Sequence, residues 1–422
     1  MNNLWRNKYI LVLNCIKIDK GIQNDFGDFN SHLLIKNFAG GEIFYFSDSI
    51  KRIGIKNTEE KIKQIIKENN ISLVFFAPHG DNYELSIEFF KRLKDELKVK
   101  NVLWVFDDEM IFDILTKYYA QVFDVVVTTD YYATFAYKKL GVPALHFFSS
   151  YSKEDFYPVN VSKDIDVSFV GDCTKSDRFK YINYLKGNGI DIKTFGKGSK
   201  NGFLKKEDLS KIFSRSKINL NFTKCNRPRD SAWFLYDNNL VSIVRQNKGR
   251  PMEVAMTNSF CLSEYAPSLG YTFEIGKAID VFYDKEDLLK KARYYLENHD
   301  IRTQMASSAY KKAITLYEAD IFIPRLMEEL CKILDNHRYA RRGKVIYKDN
   351  IFKKNHIIRL TIILFYQLAT FRFIPALETF TNLFQYGVSV FFVSFIKGVE
   401  VSLVKTFSKI LKSLERMKQI LL

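Results

Sequence analysis

Lys248, Arg250 and Glu253 fall within the six-residue run Lys248-Gly-Arg-Pro-Met-Glu253. The pattern places both cations just ahead of a helix over 251–256 and Glu253 in its first turn. A short apolar strand, 260–262, follows at once. Two cations and a helix N-terminus converging on one point suit a diphosphate. A carboxylate one turn further in can accept hydrogen bonds from a pair of sugar hydroxyls. Together they would hold a sugar nucleotide by its phosphates and its ribose. The other common nucleotide patterns are missing. No G-x-G-x-x-G follows a strand, and the stretch 270–277 has the wrong spacing for a P-loop and lacks its Ser/Thr. Dehydrogenase and NTPase chemistry are therefore disfavoured. The run Gly196-Lys-Gly-Ser-Lys-Asn-Gly202 reads either as an anion nest or as a plain surface turn.

Elements must position these groups. Apolar, β-branched runs at 9–14, 42–46, 72–77, 102–106, 125–129 and 144–148 read as buried strands. Helical patterns lie between several of them, at 58–69, 83–98, 110–120 and 131–140. After an aperiodic linker (149–164) a second series begins, with strands at 166–170, 192–195, 218–222, 260–263 and 279–283. Its helices are expected at 176–186, 206–214, 251–256, 285–298, 301–316 and 321–334. This alternation predicts an α/β protein with two Rossmann-like, doubly wound domains facing a cleft, where ligands bind at the carboxyl ends of the strands. The expected domains are 1–155, on the acceptor side, and 156–336, binding the nucleotide sugar, followed by a helical tail, 337–422.

A chain of 422 residues is too long for one core. Its five cysteines are scattered with no C-x-x-C, so disulfides and a zinc site are not expected. The opening MNNLWRNKYILVLN lacks the apolar core and cleavage site of a signal peptide, which predicts a cytoplasmic location. The net charge of +16 is uneven: residues 337–422 hold 15 Lys/Arg against four Asp/Glu. Such asymmetry points to a polyanionic partner, a membrane surface or nucleic acid. Residues 379–396 carry no charge but are diluted by polar residues. Residues 401–422 form an apolar helical stripe from Leu403 to Leu421 opposite Lys405, Lys409, Lys412, Arg416 and Lys418. Three readings stand for this tail: a membrane span, a helix lying in the lipid interface, or a packed helical subdomain. Its aromatics cluster with aliphatics rather than lysines, which favours lipid over nucleic acid. A peripheral position on the inner face of the cell membrane is the expectation, and a homo-oligomer is left open.

Several segments, taken in order, carry a resemblance. They are LWVFDDEM (103–110), VVVTTDYY (125–132), FYPV (156–159), DVSFVGD (166–172) with Arg178 after it, SKINLNF (216–222), KGRPMEVAMTNSFCLSEY (248–265) and FYDKEDLLKKARYYLENHDIRTQMASSAY (282–310). The chain resembles group 1 glycosyltransferases of the GT-B fold over roughly residues 70–320, and is most similar to their CgeB-like (spore-maturation-type) branch. The resemblance implies transfer of a sugar from a nucleotide donor, the donor being substrate and no cofactor being needed. By position, Glu253 would bind the ribose hydroxyls. Arg250, Lys248 and Arg178 would neutralise the diphosphate, and Gly171 would let backbone approach it. No metal is implied, because cations and a helix dipole stabilise the leaving group. The chain departs from the pattern at Arg245, where many relatives carry a second Glu. Asn258-Ser259 also replaces a small glycine.

An inverting transfer needs a general base at the acceptor hydroxyl. Candidates at strand ends are His79 and Asp81 in APHGDNYE, and Asp107 and Asp108 in VFDDEM. For His79 the competing reading is a structural loop histidine, and for the Asp pair it is capping of the next helix. Asn221, Arg227, Arg229 and Asp230 read as a donor or acceptor loop or as a basic surface loop. The expected function is a glycosyltransferase acting on a glycan, a lipid-linked acceptor or a polysaccharide precursor. A sugar-nucleotide epimerase and a non-catalytic nucleotide-sugar-binding protein are the alternatives, the latter allowed by Arg245.

Overall fold

The computed structural model describes residues 5–14, 26–78, 85–148, 150–175, 177–225, 244–336, 350–384, 391–392, 394–400 and 402–403. Among these residues, eleven strands form two wholly parallel sheets. The first domain runs β1 (Tyr9–Asn14), α1 (Phe26–Ile35), β2 (Gly40–Tyr45), α2 (Phe46–Ile53), α3 (Ile55–Glu68), β3 (Leu73–Ala77), α4 (Ile87–Leu97), β4 (Lys100–Val105), α5 (Asp108–Ile111), α6 (Lys117–Ala120), β5 (Val125–Thr128), α7 (Tyr131–Lys139) and β6 (Ala144–His146). A π-helical turn, Phe112–Thr116, joins α5 to α6. The strand order is β2-β1-β3-β4-β5-β6. Apolar side chains fill both faces, as a parallel sheet covered on two sides requires. Leu11, Leu13, Val74 and Phe76 face one helical layer, and Ile10, Val12, Leu73 and Phe75 face the other.

The second domain runs β7 (Ile165–Val170), α8 (Arg178–Gly187), β8 (Ile192–Phe195), α9 (Leu209–Arg215), β9 (Ser216–Asn221), α10 (Arg250–Met256), β10 (Cys261–Glu264), α11 (Leu269–Thr272), β11 (Asp280–Phe282), α12 (Lys285–Glu297) and α13 (His299–Lys312). Its strand order, β11-β10-β9-β7-β8, reverses between β7 and β9. That switch point leaves a crevice beyond the two strand ends.

The chain then departs from the sequence expectation. The segment 156–336 was expected to belong to the second domain throughout. Instead α14 (Ala319–Asp335) crosses back, and Ile323, Leu326, Met327 and Leu330 pack on the first sheet with Ile10, Val12 and Trp104. Trp5 Nε1 donates to Asp335 Oδ1 at 2.6 Å and fixes the far end. The helix's apolar stripe is as expected, but a stripe does not say which sheet it covers. At the crossing, Ala319 N–H donates to the Tyr151 carbonyl at 3.1 Å. Glu318 caps α14 through the Asp320 N–H at 2.9 Å.

The tail begins as a packed subdomain. In α15 (Asn350–Ala369), Phe352, Ile357, Ile358 and Leu360 join the core that holds Phe46, Ile50 and Tyr118. In α16 (Phe373–Asn382), Thr379 donates to Gln367 Oε1 at 2.7 Å, and Glu378 accepts the Lys56 N–H at 2.7 Å. Among the described residues no helix is long and apolar enough to cross a membrane. Most of the 401–422 stripe lies outside the described residues.

Candidate active site

The cations of the second domain gather at its switch point. Arg178 opens α8, just past the end of β7. Its Nη1 donates to the Asp172 carbonyl at 3.0 Å, and its guanidinium lies 5.5 Å from the Phe169 ring. Burial lowers its proton affinity, and its buried Nε has no hydrogen-bond partner among the described residues. Desolvation and the charges of Lys248 and Arg178 together pull Lys175 below the ordinary lysine range. Arg250 is the first residue of α10 and packs 5.1 Å from the Phe213 ring. Its guanidinium pairs with Glu253 one turn on. The ribose candidate and a diphosphate candidate thus satisfy each other. Lys248 donates to the Gln246 side-chain oxygen.

Glycine shapes the floor of this crevice. Gly171 follows β7 and Gly196 follows β8, with the Gly171 N–H bonded to the Phe195 carbonyl at 2.9 Å. Gly196 has φ +107°, and a Cβ there would lie 2.4 Å from the Gly171 carbonyl oxygen. Only glycine tolerates both conditions. The run 196–202 closes on itself, Ser199 Oγ donating to the Gly196 carbonyl at 2.7 Å. At the neighbouring strand ends, Glu264 is buried and accepts the N–H groups of Thr223 and Lys224, each at 2.8 Å. Arg245 Nε lies 3.1 Å from its other oxygen.

The first domain answers with the loop after β4, where three consecutive acids diverge. Asp108 is sealed in the core, accepting hydroxyls from Thr116 and Thr128 at 2.6 Å and from Tyr137 at 2.8 Å. The π-helical turn delivers Thr116 to it. Burial pushes Asp108 up to about 6 against these hydrogen bonds. Anchored there, the chain turns both neighbours towards the second domain. Asp107 accepts from Gln246 Nε2 at 2.7 Å, and Glu109 Oε1 accepts the Asn247 N–H at 2.9 Å. Asp130 caps α7 through the Tyr132 N–H at 2.9 Å. Burial, Asp130 and Asp107 together raise Glu109 well above the ordinary carboxylate range, opposed by the Asn247 amide. Tyr131 stacks on Tyr271 across the cleft, with centroids 3.6 Å apart.

Between the domains lies a cavity of about 540 Å³, lined by Glu109, Asp130 and Tyr132 on one side and by Arg245, Glu264, Tyr265 and Tyr283 among others on the opposite side. Asp107 stands at the start of α5 without a capping hydrogen bond from its side chain, which instead faces Gln246. Asp108 does not reach the cleft; its three hydroxyl partners make it an anchor. His79, Asp81, Arg227, Arg229 and Asp230 lie outside the described residues. Glu109 escaped the sequence reading, although it completes the acidic triplet Asp107-Asp108-Glu109. Among the described residues no three His, Cys, Asp or Glu side chains gather as a metal site.

Comparison with known proteins fits this geometry. The family model described as "Glycosyl transferase-like" matches residues 167–327, which include Gly171, Arg178, Lys248, Arg250 and Glu253. No curated protein matches the chain in sequence. Among solved structures, a sucrose-phosphate synthase from Thermosynechococcus elongatus aligns with a TM-score of 0.59 at 9% identity, covering 78% of this chain and 99% of that one. Anabaena HepE in complex with UDP-glucose aligns at 0.55 and 10% identity, covering 77% and 100%. A glycosyltransferase from Rickettsia africae aligns at 0.53 and 13%, covering 79% and 100%. At such identities the likeness establishes the fold: two Rossmann-like domains in the GT-B arrangement.

Proposed function

We propose that this chain is a glycosyltransferase of the CgeB-like branch, moving a hexosyl or related sugar from a nucleotide donor to a membrane-associated glycan or polysaccharide precursor. The observation that carries this reading is the meeting of Glu253, Arg250, Lys248 and Arg178 at the switch point of the second sheet, across a cleft from Asp107 and Glu109. In this reading Glu253 leaves Arg250 for the ribose hydroxyls, and Arg250 turns to the diphosphate. Lys248 and Arg178 share the charge that develops as the sugar departs, so that no metal is required. Gly171 and Gly196 keep side chains out of the path of the phosphates.

Membrane association rests on charge and on one exposed face. Residues 337–422 hold most of the positive excess, and α16 with the turn before it presents Phe371, Phe373, Ile374 and Leu377 to solvent, Phe371 and Ile374 at 80% and 82% exposure. A peripheral enzyme on the cytoplasmic face would meet a lipid-linked acceptor there. Arg245, at the position where the resemblance implies a second Glu, favours the second reading, a nucleotide-sugar binder without turnover.

A thermal-shift screen of UDP, GDP, CMP, dTDP and ADP with their sugar conjugates tests the donor site. UDP-glucose comes first, since HepE was solved with it. One nucleotide class should stabilise the protein by about 2.7 kcal/mol at roughly 100 times its Kd. No shift with any of them, from a folded sample, overturns the donor reading. Stabilisation without sugar transfer selects the binder.

A further inference from the structure

The donor cations do not line the cavity between the domains. Among the described residues its charged lining is Glu109, Asp130 and Glu264 against Arg245 alone. Arg245 and Glu264 satisfy each other, the Arg245 Nε lying 3.1 Å from the carboxylate. That leaves Glu109 and Asp130. They accept backbone N–H groups, from Asn247 and from Tyr132, each at 2.9 Å, but neither meets a cation among the described residues. Burial is the chief reason that both hold a proton more tightly than an ordinary carboxylate, and the charge of Asp130 adds to it for Glu109. Lys and Arg outnumber Asp and Glu by 64 to 48 in this chain, yet this pair stays uncompensated. Acids withdrawn from water are ordinarily paired, so the pair marks a place where the cation arrives from outside.

The aromatic lining points the same way. Tyr265 and Tyr283 follow β10 and β11, with ring centroids 5.2 Å apart, and Tyr132 of α7 lines the opposite side. Tyr283 and Tyr132 are 62% and 48% exposed, so their rings are open to a ligand. The electron-rich face of such a ring attracts a cation within about 6 Å. The charge of the lining repels a diphosphate. A shared metal ion does not fit either, because among the described residues no three His, Cys, Asp or Glu side chains gather to hold one. The volume of about 540 Å³ suits an organic ligand.

We propose, resting on the transferase reading above, that this cavity is the acceptor subsite and takes an acceptor bearing an organic ammonium. Its source is either the unacylated amine of an amino sugar or a trimethylammonium substituent. Glu109 and Asp130 supply the counter-charge from the first domain, and the Tyr265–Tyr283 pair supplies ring faces from the second. Glu109 also links the cavity to the donor site. Through the Asn247 N–H it holds the residue next to Lys248, so an acceptor seated here lies beside the diphosphate cations rather than on them. N-acetylation removes the ligand's charge and leaves the two acids uncompensated, so an acetylated acceptor is selected against.

The test titrates the full chain, without donor, by ligand-observed saturation-transfer NMR. The probes are the methyl glycosides of glucosamine, N-acetylglucosamine and glucose, and tetramethylammonium. The glucosamine glycoside should bind at least about 10-fold more tightly than either uncharged glycoside. Displacement of that glycoside by tetramethylammonium selects the trimethylammonium source, and binding of the sugar alone selects the amino sugar. Glu109→Gln and Asp130→Asn, the latter keeping a helix-capping oxygen, should each remove most of the preference. Both should keep the weak binding of the glucose glycoside, which a collapsed fold would lose. Tyr283→Ala, at an exposed position, should weaken the ammonium probes about 3- to 30-fold. Equal affinity for the three glycosides overturns the proposal, as does a preference that survives both carboxylate substitutions or the absence of any bound probe. Failure of every nucleotide in the thermal-shift screen, with the preference intact, sinks the transferase reading instead and leaves an ammonium site in the cleft.

Discussion

At the residue scale the gathering of the second domain's cations was legible, and the diverging paths of three adjacent acids were not. Lys248, Arg250 and Glu253 lie on one short segment, so their convergence follows from helix geometry alone. The triplet Asp107-Asp108-Glu109 offers no such handle: three adjacent acids look alike until a strand end and a π-helical turn send the middle one into the core. The sequence offers Asp107 and Asp108 beside His79 and Asp81, and it does not show that Asp108 turns inward, because the hydroxyls of Thr116, Thr128 and Tyr137 come from three different elements. The ribose assignment makes its own prediction. Glu253 is half-buried in the first turn of α10 and pairs with Arg250, not with the core. Glu253→Ala should leave the melting temperature nearly unchanged. It should weaken donor binding about 10- to 100-fold, the equivalent of one or two hydrogen bonds to a charged group. Calorimetric titration reads this directly, and wild-type affinity in the variant ends the assignment.

At the element scale, strand and helix types were largely visible because buried parallel strands and amphipathic helices have different periods. What one sequence does not carry is which surface a helix covers. Residues 321–334 read correctly as helix, yet α14 seals the first sheet rather than the second. The glycine run after β8 is a similar case. Sequence left it between an anion nest and a turn. In the structure it closes on itself, and its first glycine sits against the Gly171 carbonyl between two strand ends. Gly196→Ala should therefore be costly, since the new methyl must displace the Gly171 carbonyl and the left-handed φ adds about 1–2 kcal/mol of its own. Chemical denaturation should show a loss of at least about 2 kcal/mol, with donor affinity reduced in the fraction still folded. A stability equal to wild type would mean that the close approach of the two loops is not maintained in solution.

At the scale of the whole molecule, the proposal gives the tail the role of placing the protein at a membrane. Deleting residues 338–422 looks like the natural test of membrane binding, but it would strip Phe352, Ile357, Ile358 and Leu360 from the core of the first domain. Loss of function would then report unfolding. The outward face of α16 gives a cleaner experiment, because Phe373, Ile374 and Leu377 are exposed while Ala376 and Thr379 on the opposite side are buried. Phe373→Ser, Ile374→Ser and Leu377→Ser together should leave the fold intact. If these side chains enter lipid, each is worth about 1.5–3 kcal/mol when fully buried. Even partial insertion then predicts a fall of at least about 100-fold in binding to phosphatidylglycerol–phosphatidylethanolamine vesicles. The basic stretches should add a second dependence, with wild-type binding weakening as salt rises. Flotation of the full chain with such vesicles reads both effects. Binding that survives the triple substitution would move the contact elsewhere on the molecule. A wild type that never floats would leave α16 as an ordinary surface helix and remove the reason for placing the acceptor in a membrane.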